Sequence, residues 1–196
     1  MSTQLRIGII IGSTRPTRVG DQVAAWIKEH AERLSDARFE IIDLAEVDLP
    51  LLDEPLSASM GQYQHAHTKA WAERIAPLDA FIFVTPEYNH APSAALINAL
   101  SYLSAEWNNK AAALVSYGFT ANGARAAAIL RSMFGELQIA DVRQQLVLSI
   151  PADFENYSTF TPGDHHIATL QTLLDQLQSW GGALKAVRAE QARAAA

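Results

Sequence analysis

The sequence predicts an α/β domain in which about five parallel strands alternate with helices. Short apolar runs rich in β-branched residues, such as Ile9-Ile10-Ile11, lack the in/out alternation of a half-exposed strand and suit strands covered on both faces. Between them lie segments whose apolar residues return at helical spacing. No internal repeat, low-complexity linker or charge block divides the 196 residues, a length that suits one domain at roughly 100 to 200 residues each. Residues 1–196 are therefore read as a single domain.

The first strand runs from Arg6 to Ile11 and ends in Gly12-Ser13-Thr14-Arg15-Pro16-Thr17-Arg18-Val19-Gly20. From Asp21 to Leu34, Val23, Ala24, Trp26, Ile27, Ala31 and Leu34 mark one face of a helix. Phe39, Ile41, Ile42 and Leu44 form the second strand. Pro50 and Pro55 then break regular structure, so the stretch to Met60 reads as a loop whose leucines pack on the sheet edge or on a partner subunit. Tyr63 to Ile75 reads as a helix; on it His65 and His67, two apart, would not share a face, which disfavours a helical metal pair.

Ala80 to Val84 is the third strand, and it stops at Thr85-Pro86-Glu87-Tyr88-Asn89-His90, where Pro86 denies a ladder hydrogen bond. Ser93 to Leu103 is apolar nearly all round. A helix covering one sheet face needs a single apolar stripe, so the surplus predicts contact with a second copy, a homodimer or a dimer of dimers. Ala111 to Ser116 is the fourth strand, followed by Tyr117-Gly118-Phe119-Thr120-Ala121-Asn122-Gly123, a helix from Ala124 through Leu137, and a fifth strand from Val142 to Ile150. Asp153 to Asp164 reads as a loop with Phe154, Tyr157 and Phe160 as lid or interface residues. Leu170, Leu173, Leu174, Leu177 and Trp180 mark a last helix, whose Ala-rich end after Glu190 is expected to fray.

Composition narrows the chemistry. A net charge of -6 argues against a nucleic-acid partner, which would need a basic excess. No apolar run approaches the roughly 18 residues of a membrane span, and no apolar leader precedes the first strand, so a cytoplasmic protein without a membrane partner is expected. Cysteine is absent, which removes disulfides, thiolate metal sites and cysteine nucleophiles. The adjacent His165 and His166 lack a third ligand at a supporting spacing, and no metal is expected.

Right-handed crossovers put helices on both sheet faces and collect the strand-end loops at one edge. In a doubly wound sheet of order 2-1-3-4-5 the ligand sits at the switch between strands one and three, as in flavodoxin. Here those strands precede the Gly12–Gly20 loop and the Tyr88 loop. The first is an anion cradle: a helix N-terminus supplies unpaired N–H groups and a positive dipole end, Ser13, Thr14 and Thr17 supply hydroxyls, and Arg15 and Arg18 supply guanidinium groups. Neither G-x-G-x-x-G nor G-x-x-x-x-G-K-[ST] occurs, so a lone phosphate monoester fits better than a diphosphate. Tyr88 offers a flat apolar face and Asn89 a donor and an acceptor, tools for holding a planar heterocycle.

The chain resembles the NADPH-dependent FMN reductase family of flavodoxin-like proteins, which includes quinone, azo-dye and chromate reductases. The resemblance covers nearly the whole length. It is carried by Gly12-Ser13-Thr14-Arg15-Pro16 with Gly20, by Thr85-Pro86-Glu87-Tyr88-Asn89, by Asn98-Ala99-Leu100, and by Ser116-Tyr117-Gly118 with Gly123 and Arg125. It implies that Ser13, Arg15, Arg18, Val19 and Gly20 hold the FMN phosphate. Pro86, Glu87, Tyr88 and Asn89 would hold the ribityl chain and isoalloxazine, while Ser116, Tyr117 and Gly118 approach the ring. The family pattern often places a proline one position later and follows it with Leu-Lys-Asn-Ala-Leu-Asp, where this chain has Pro92, Ile97 and Ser101.

The implied chemistry passes hydride from NADPH or NADH through FMN to a small acceptor such as a quinone, azo compound, metal oxyanion or free flavin. The cofactor supplies the reactivity and no catalytic side chain is assigned. Glu87 as a proton donor is set aside for a solvated or backbone-bonded carboxylate, and His90 for a capping or interface role. A hydrolase lacks its G-x-S-x-G elbow. The rival reading is a flavin-binding electron carrier or redox-responsive interaction protein with little NAD(P)H turnover.

Overall fold

A computed structural model of the chain describes residues 4–194. Five parallel strands, β1 (Arg6–Ile11), β2 (Arg38–Asp43), β3 (Ala80–Pro86), β4 (Lys110–Gly118) and β5 (Ile139–Ser149), form one sheet of order β2-β1-β3-β4-β5. The helices are α1 (Gly20–Leu34), α2 (Leu44–Val47), α3 (Ala66–Ile75), α4 (Ala94–Ser101), α5 (Ala124–Glu136), α6 (Ile150–Asp153) and α7 (His165–Ala194). Strand β3 shows why the apolar runs lack alternation. Its Ala80, Ile82 and Val84 pack with α1 and α7 residues such as Val23 and Leu173, while Phe81 and Phe83 face Trp71, Leu100 and Phe134 from α3, α4 and α5. Both faces are buried, as parallel strands require.

Several boundaries differ from the sequence reading for identifiable reasons. Strands β4 and β5 are longer than expected because pairing continues to Pro86↔Tyr117 and Gly118↔Ser149 at one end and begins at Lys110↔Ile139 at the other. The early part of β5 is polar because it lies at the sheet edge. Helix α2 falls within and beyond the expected second strand: Asp43 caps it, its carboxylate accepting from Ala45 N at 2.9 Å. Helix α3 starts at Ala66 rather than Tyr63, since the Glu54 carboxylate accepts from Gln64 N at 2.9 Å and His65 N at 3.0 Å. His65 thus lies outside the helix, and the face argument does not apply to it: its ring stacks on that of His67, centroids 5.2 Å apart.

Helix α6 takes the last residue of the expected fifth strand and runs to Asp153, and the expected loop from Asp153 to Asp164 contains a small hairpin of β6 (Phe154–Glu155) and β7 (Thr159–Phe160). Asn156 and Tyr157 turn it in the left-handed region, at φ 51° and 58°. At the other end of the chain, α7 continues through the Ala-rich stretch to Ala194 instead of fraying after Glu190; the last two residues lie outside the described range.

The sheet edge opposite the loops is tied by Asp79, 5% exposed, which accepts from Arg6 N at 3.0 Å, Lys185 Nζ at 2.9 Å and Arg188 Nη2 at 2.5 Å. One carboxylate thereby joins β1 and the approach to β3 to α7. Asp79→Ala leaves a backbone N–H and two partly buried cations without it, and unfolding in urea should show a loss of about 2–3 kcal/mol. An unchanged midpoint would mean that α7 is held by apolar packing alone.

Candidate functional site

The strand register builds the site. Ile11 pairs with Val84, so β1 and β3 end level, and Gly12 N donates to Val84 O at 2.9 Å. A Cβ at Gly12 would lie 2.9 Å from both that carbonyl and Leu96 Cδ2, so only glycine lets the chain leave β1 this close to β3 and α4. Ser93, the N-cap of α4, donates its hydroxyl to Gly12 O while accepting from Leu96 N at 3.1 Å. The exit of the first strand is thereby bonded to the helix that follows the third.

Beyond Gly12 the two loops meet directly. Ser13 is buried, and its Oγ shares a hydrogen bond of 2.8 Å with Tyr88 Oη; Arg15 N donates to the same Oγ at 3.3 Å. Helix α1 then begins at Gly20 with Val19 in the capping position and no side-chain cap. Valine cannot accept a hydrogen bond, so the first N–H groups of α1 lack the partner that Ser, Thr, Asp or Asn would give, and an anion would serve. Gly20 sits where a Cβ would come within 3.0 Å of Tyr117 Oη.

The two arginines divide their work. Arg15 is exposed. Arg18 bonds through Nη2 to the Asp43 carboxylate, yet its Nε is buried with no hydrogen-bond partner among the described residues. Tyr117 Oη, near Ser13, is likewise buried without a hydrogen bond of good geometry among the described residues. Burial, aided by Tyr88 and Asp21, pushes the Tyr117 hydroxyl above the ordinary tyrosine range, so it remains a protonated donor. Two orphaned donors beside an uncapped helix start are the electrostatic signature of a missing oxyanion.

The Tyr88 loop is rigid. Tyr88 and Ala91 exchange backbone hydrogen bonds of 2.8 and 3.0 Å around Asn89 and His90, at φ 51° and 68°. Two consecutive left-handed residues define a two-residue turn of the hairpin kind, where asparagine is among the favoured side chains. Glu87 is fastened to α5: Oε2 accepts from Arg125 N at 3.1 Å and Oε1 from Arg125 Nε at 2.6 Å. Burial raises its pKa, but the bonds and charge of Arg125 outweigh this and hold the carboxyl below the usual range.

The hydroxyl of Ser116 is engaged within its own neighbourhood. Its Oγ donates to Asn122 O and accepts from Gln145 Nε2, each at 2.8 Å, securing the loop that carries Tyr117 and Gly118. Gly123, at φ 82°, closes that loop, and a Cβ there would be 2.6 Å from Ser116 Cβ.

The remaining residues enclose two adjoining cavities. A slot of about 130 Å³ is walled by Arg18, Val19, Pro86, Tyr117 and Gly118, together with Ile150 and the exposed Phe119 and Tyr157. Asn89, Ser93 and Ala94 help line a trough of about 570 Å³, and Arg15, Glu87 and Tyr88 border both. Together they offer a charged end and a flat aromatic end, the shape of a mononucleotide with a planar ring. Phe119 and Tyr157 pack together with centroids 5.7 Å apart. Tyr157 comes from the expected lid segment; Ile150 and Asp43 carried no sequence signal except the Asp43-x-x-Glu46 spacing of a helix cap.

Comparison with known proteins agrees with this geometry. Residues 5–153 match the family described as NADPH-dependent FMN reductase. An NAD(P)H-dependent FMN reductase of Schizosaccharomyces pombe is 38% identical over 150 residues, covering 76% of this chain and 74% of that protein. One from Saccharomyces cerevisiae is 40% identical over 125 residues, covering 58% and 65%. Among solved structures, the FerB flavoenzyme NAD(P)H:(acceptor) oxidoreductase of Paracoccus denitrificans shares the fold, with a TM-score of 0.69 and 19% identity over 90% of this chain and 97% of that one. RosB, solved with 8-demethyl-8-formylriboflavin-5'-phosphate, reaches a TM-score of 0.71 at 15% identity, covering 98% and 88%. The chain belongs to the NADPH-dependent FMN reductase family, with FMN as its cofactor and NAD(P)H as its reductant.

Proposed function

We propose that this FMN-dependent NAD(P)H oxidoreductase anchors FMN by its phosphate at the α1 start and passes electrons to a small planar acceptor of the quinone class. The observation that carries the reading is the pair of orphaned donors, Arg18 Nε and Tyr117 Oη, beside an uncapped helix N-terminus. Residues 1–196 act as one FMN-binding domain. Ser13, Arg15, Arg18, Val19 and Gly20, with the Tyr117 hydroxyl, hold the phosphate end; Pro86, Glu87, Tyr88 and Asn89, with Gly118 and the body of Tyr117, hold the ring end. Ser116 supports them through the loop it fastens. Bound there, FMN would supply the redox chemistry between NAD(P)H and the acceptor. The chain's part is to fix the ring and leave a contact face between Phe119, Tyr157 and the trough. Quinone reductases of Pseudomonas putida, 31–32% identical, support the acceptor class. A cytoplasmic location accords with the need for an NAD(P)H pool.

A homodimer belongs to the same proposal, on different grounds from those read in the sequence. Leu96, Ala99, Leu100, Tyr102 and Leu103 of the α4 region are buried in this chain's own core, and the loop 50–53 covers the helix through Asn98 and Tyr102. The unpartnered apolar surface lies beside it, at Leu51 (82% exposed), Leu52, Leu56 and Met60. A cavity of about 470 Å³ between Leu51, Leu44 and α4 shares Thr14, Ala94 and Ala95 with the trough, which supports a second copy near the ring end. Leu51→Asp should convert a dimer to a monomer in sedimentation equilibrium; a monomeric parent protein would end this part.

The purified protein should be yellow, bleach rapidly with NADPH in stopped flow, and recolour with a quinone. A flavin carrier with little turnover would stay oxidised, and that result would replace the reductase reading with the carrier. Arg15→Ala should weaken FMN binding by roughly tenfold or more through loss of a charge-assisted phosphate contact; equal affinity would remove Arg15 from the cradle. Because Arg125 keeps Glu87 ionised, Glu87→Gln should retain turnover when saturated with FMN, while costing about 1 kcal/mol at pH 7. The folded pKa is lowered, so this contribution is present above the ordinary value of 4.5 and lost as pH falls below it. Urea unfolding of both proteins at pH 7 and pH 3.5 checks the sign: the gap should narrow in acid.

A further inference from the structure

Three ligand-bearing side chains converge where the segment after β5 meets α7, apart from the residues that face the flavin slot. Asp153 closes α6 and is 5% exposed. Its Oδ2 accepts from Ser149 N at 2.7 Å, and its carbonyl accepts from Thr161 N at 2.8 Å. The other oxygen, Oδ1, lies 2.8 Å from Nε2 of the buried His166. His165 is exposed at the first position of α7, its ring centroid 4.0 Å from that of His166. Consecutive helical residues point about 100° apart, and this pair meets only because the first sits at the helix start. Gly163 makes room: a Cβ there would be 2.7 Å from His165 Nδ1. One ligand atom from each of Asp153, His165 and His166 lies within 4.8 Å of the others.

We propose that Asp153, His165 and His166 bind a single divalent transition-metal ion of the zinc class. The sequence spacing concealed the third ligand, because Asp153 arrives from the far side of the β6–β7 hairpin. Two imidazoles and one carboxylate are a ligand set for zinc and its neighbours, not for calcium or magnesium, which take oxygen ligands throughout. Ligands at about 2.1 Å from a tetrahedral ion stand about 3.4 Å from one another. Asp153 and His166 need open by only about half an ångström to reach that, and the exposed His165 ring swings in to complete the set. Water fills the fourth position from the solvent side. Ser149 N holds the remaining carboxylate oxygen, the kind of outer contact that keeps a ligand oriented. Asp153 also spans the base of the hairpin through Ser149 N and Thr161 N, and the tip of that hairpin carries Tyr157 into the slot. An ion at this point cross-links that base to α7.

The test is calorimetric titration of zinc chloride into the full chain, free of any histidine tag and loaded with FMN. Saturable binding is expected, weakened by roughly tenfold or more in His165→Ala. His67→Ala should leave it unchanged, which separates this site from the stacked His65 and His67 beside Asp53. Zinc should also raise the melting temperature of the parent protein and not that of His165→Ala. His165 is exposed, so its variant is expected to fold, and retained FMN absorbance reports that it has. Absence of saturable binding, or equal affinity in the parent protein and His165→Ala, overturns the proposal.

Discussion

The pairing of β1 with β3 is the constraint on which the rest of the site depends. These strands are neighbours in the sheet but far apart in sequence, and the connections leaving them go to opposite faces: α1 to the face it shares with α7, α4 to the other. Diverging helices leave a crevice that no side chain of the sheet can fill. The level register of Ile11 and Val84 makes the crevice narrow enough for Ser13 to reach Tyr88. A slip by one residue would send Val84 to the wrong face and separate those hydroxyls. The same closeness explains Gly12, whose missing side chain is the space into which Leu96 and the Val84 carbonyl fit.

Charge at the crevice is deliberately incomplete. Arg18 is partly neutralised by Asp43, which also caps α2, so one carboxylate both sets a helix and orients the guanidinium. A fully paired Arg18 would have little left for a phosphate, and an unpaired one would be costly to bury. The observed compromise leaves Nε inward and unused. Glu87 is the opposite case. Its carboxylate has two bonds to Arg125 at the start of α5, an arrangement that spends its charge on holding two loops together.

Much of this was readable in advance, and the exceptions share a cause. The apolar runs of β1, β3 and β4, the strand order and the meeting of three loops follow from burial and crossover handedness, which are encoded locally. The start of α3 was misplaced because Glu54, ten residues upstream, takes the N–H groups of Gln64 and His65. The Ser116 hydroxyl is fixed by Gln145, twenty-nine residues later, a partner that its place after a buried strand does not announce. The trio of Asp153, His165 and His166 is formed by a hairpin whose geometry no spacing rule describes. In each instance the deciding contact is a side chain from elsewhere in the chain competing for a polar group. Hydrophobic periodicity cannot register such competition, since every polar residue looks alike to it.

The same distinction separates what identifies the cofactor from what would identify the acceptor. In the proposed site FMN is held by groups that folding must place anyway: a helix start, a strand end and a two-residue turn. In the proposed site the acceptor meets Phe119 and Tyr157, which are 62% and 63% exposed and pack ring against ring. Exposed aromatic faces attract flat molecules through area and polarisability and discriminate weakly among them, because they present few fixed donors or acceptors. Selection among small-molecule acceptors at such a face would therefore come from what narrows the approach to it. The hairpin bearing Tyr157 is anchored through Asp153, and the trough on the other side runs toward Leu51. In the proposed site, specificity would be a property of how those two borders are held, and cofactor binding a property of the sheet itself.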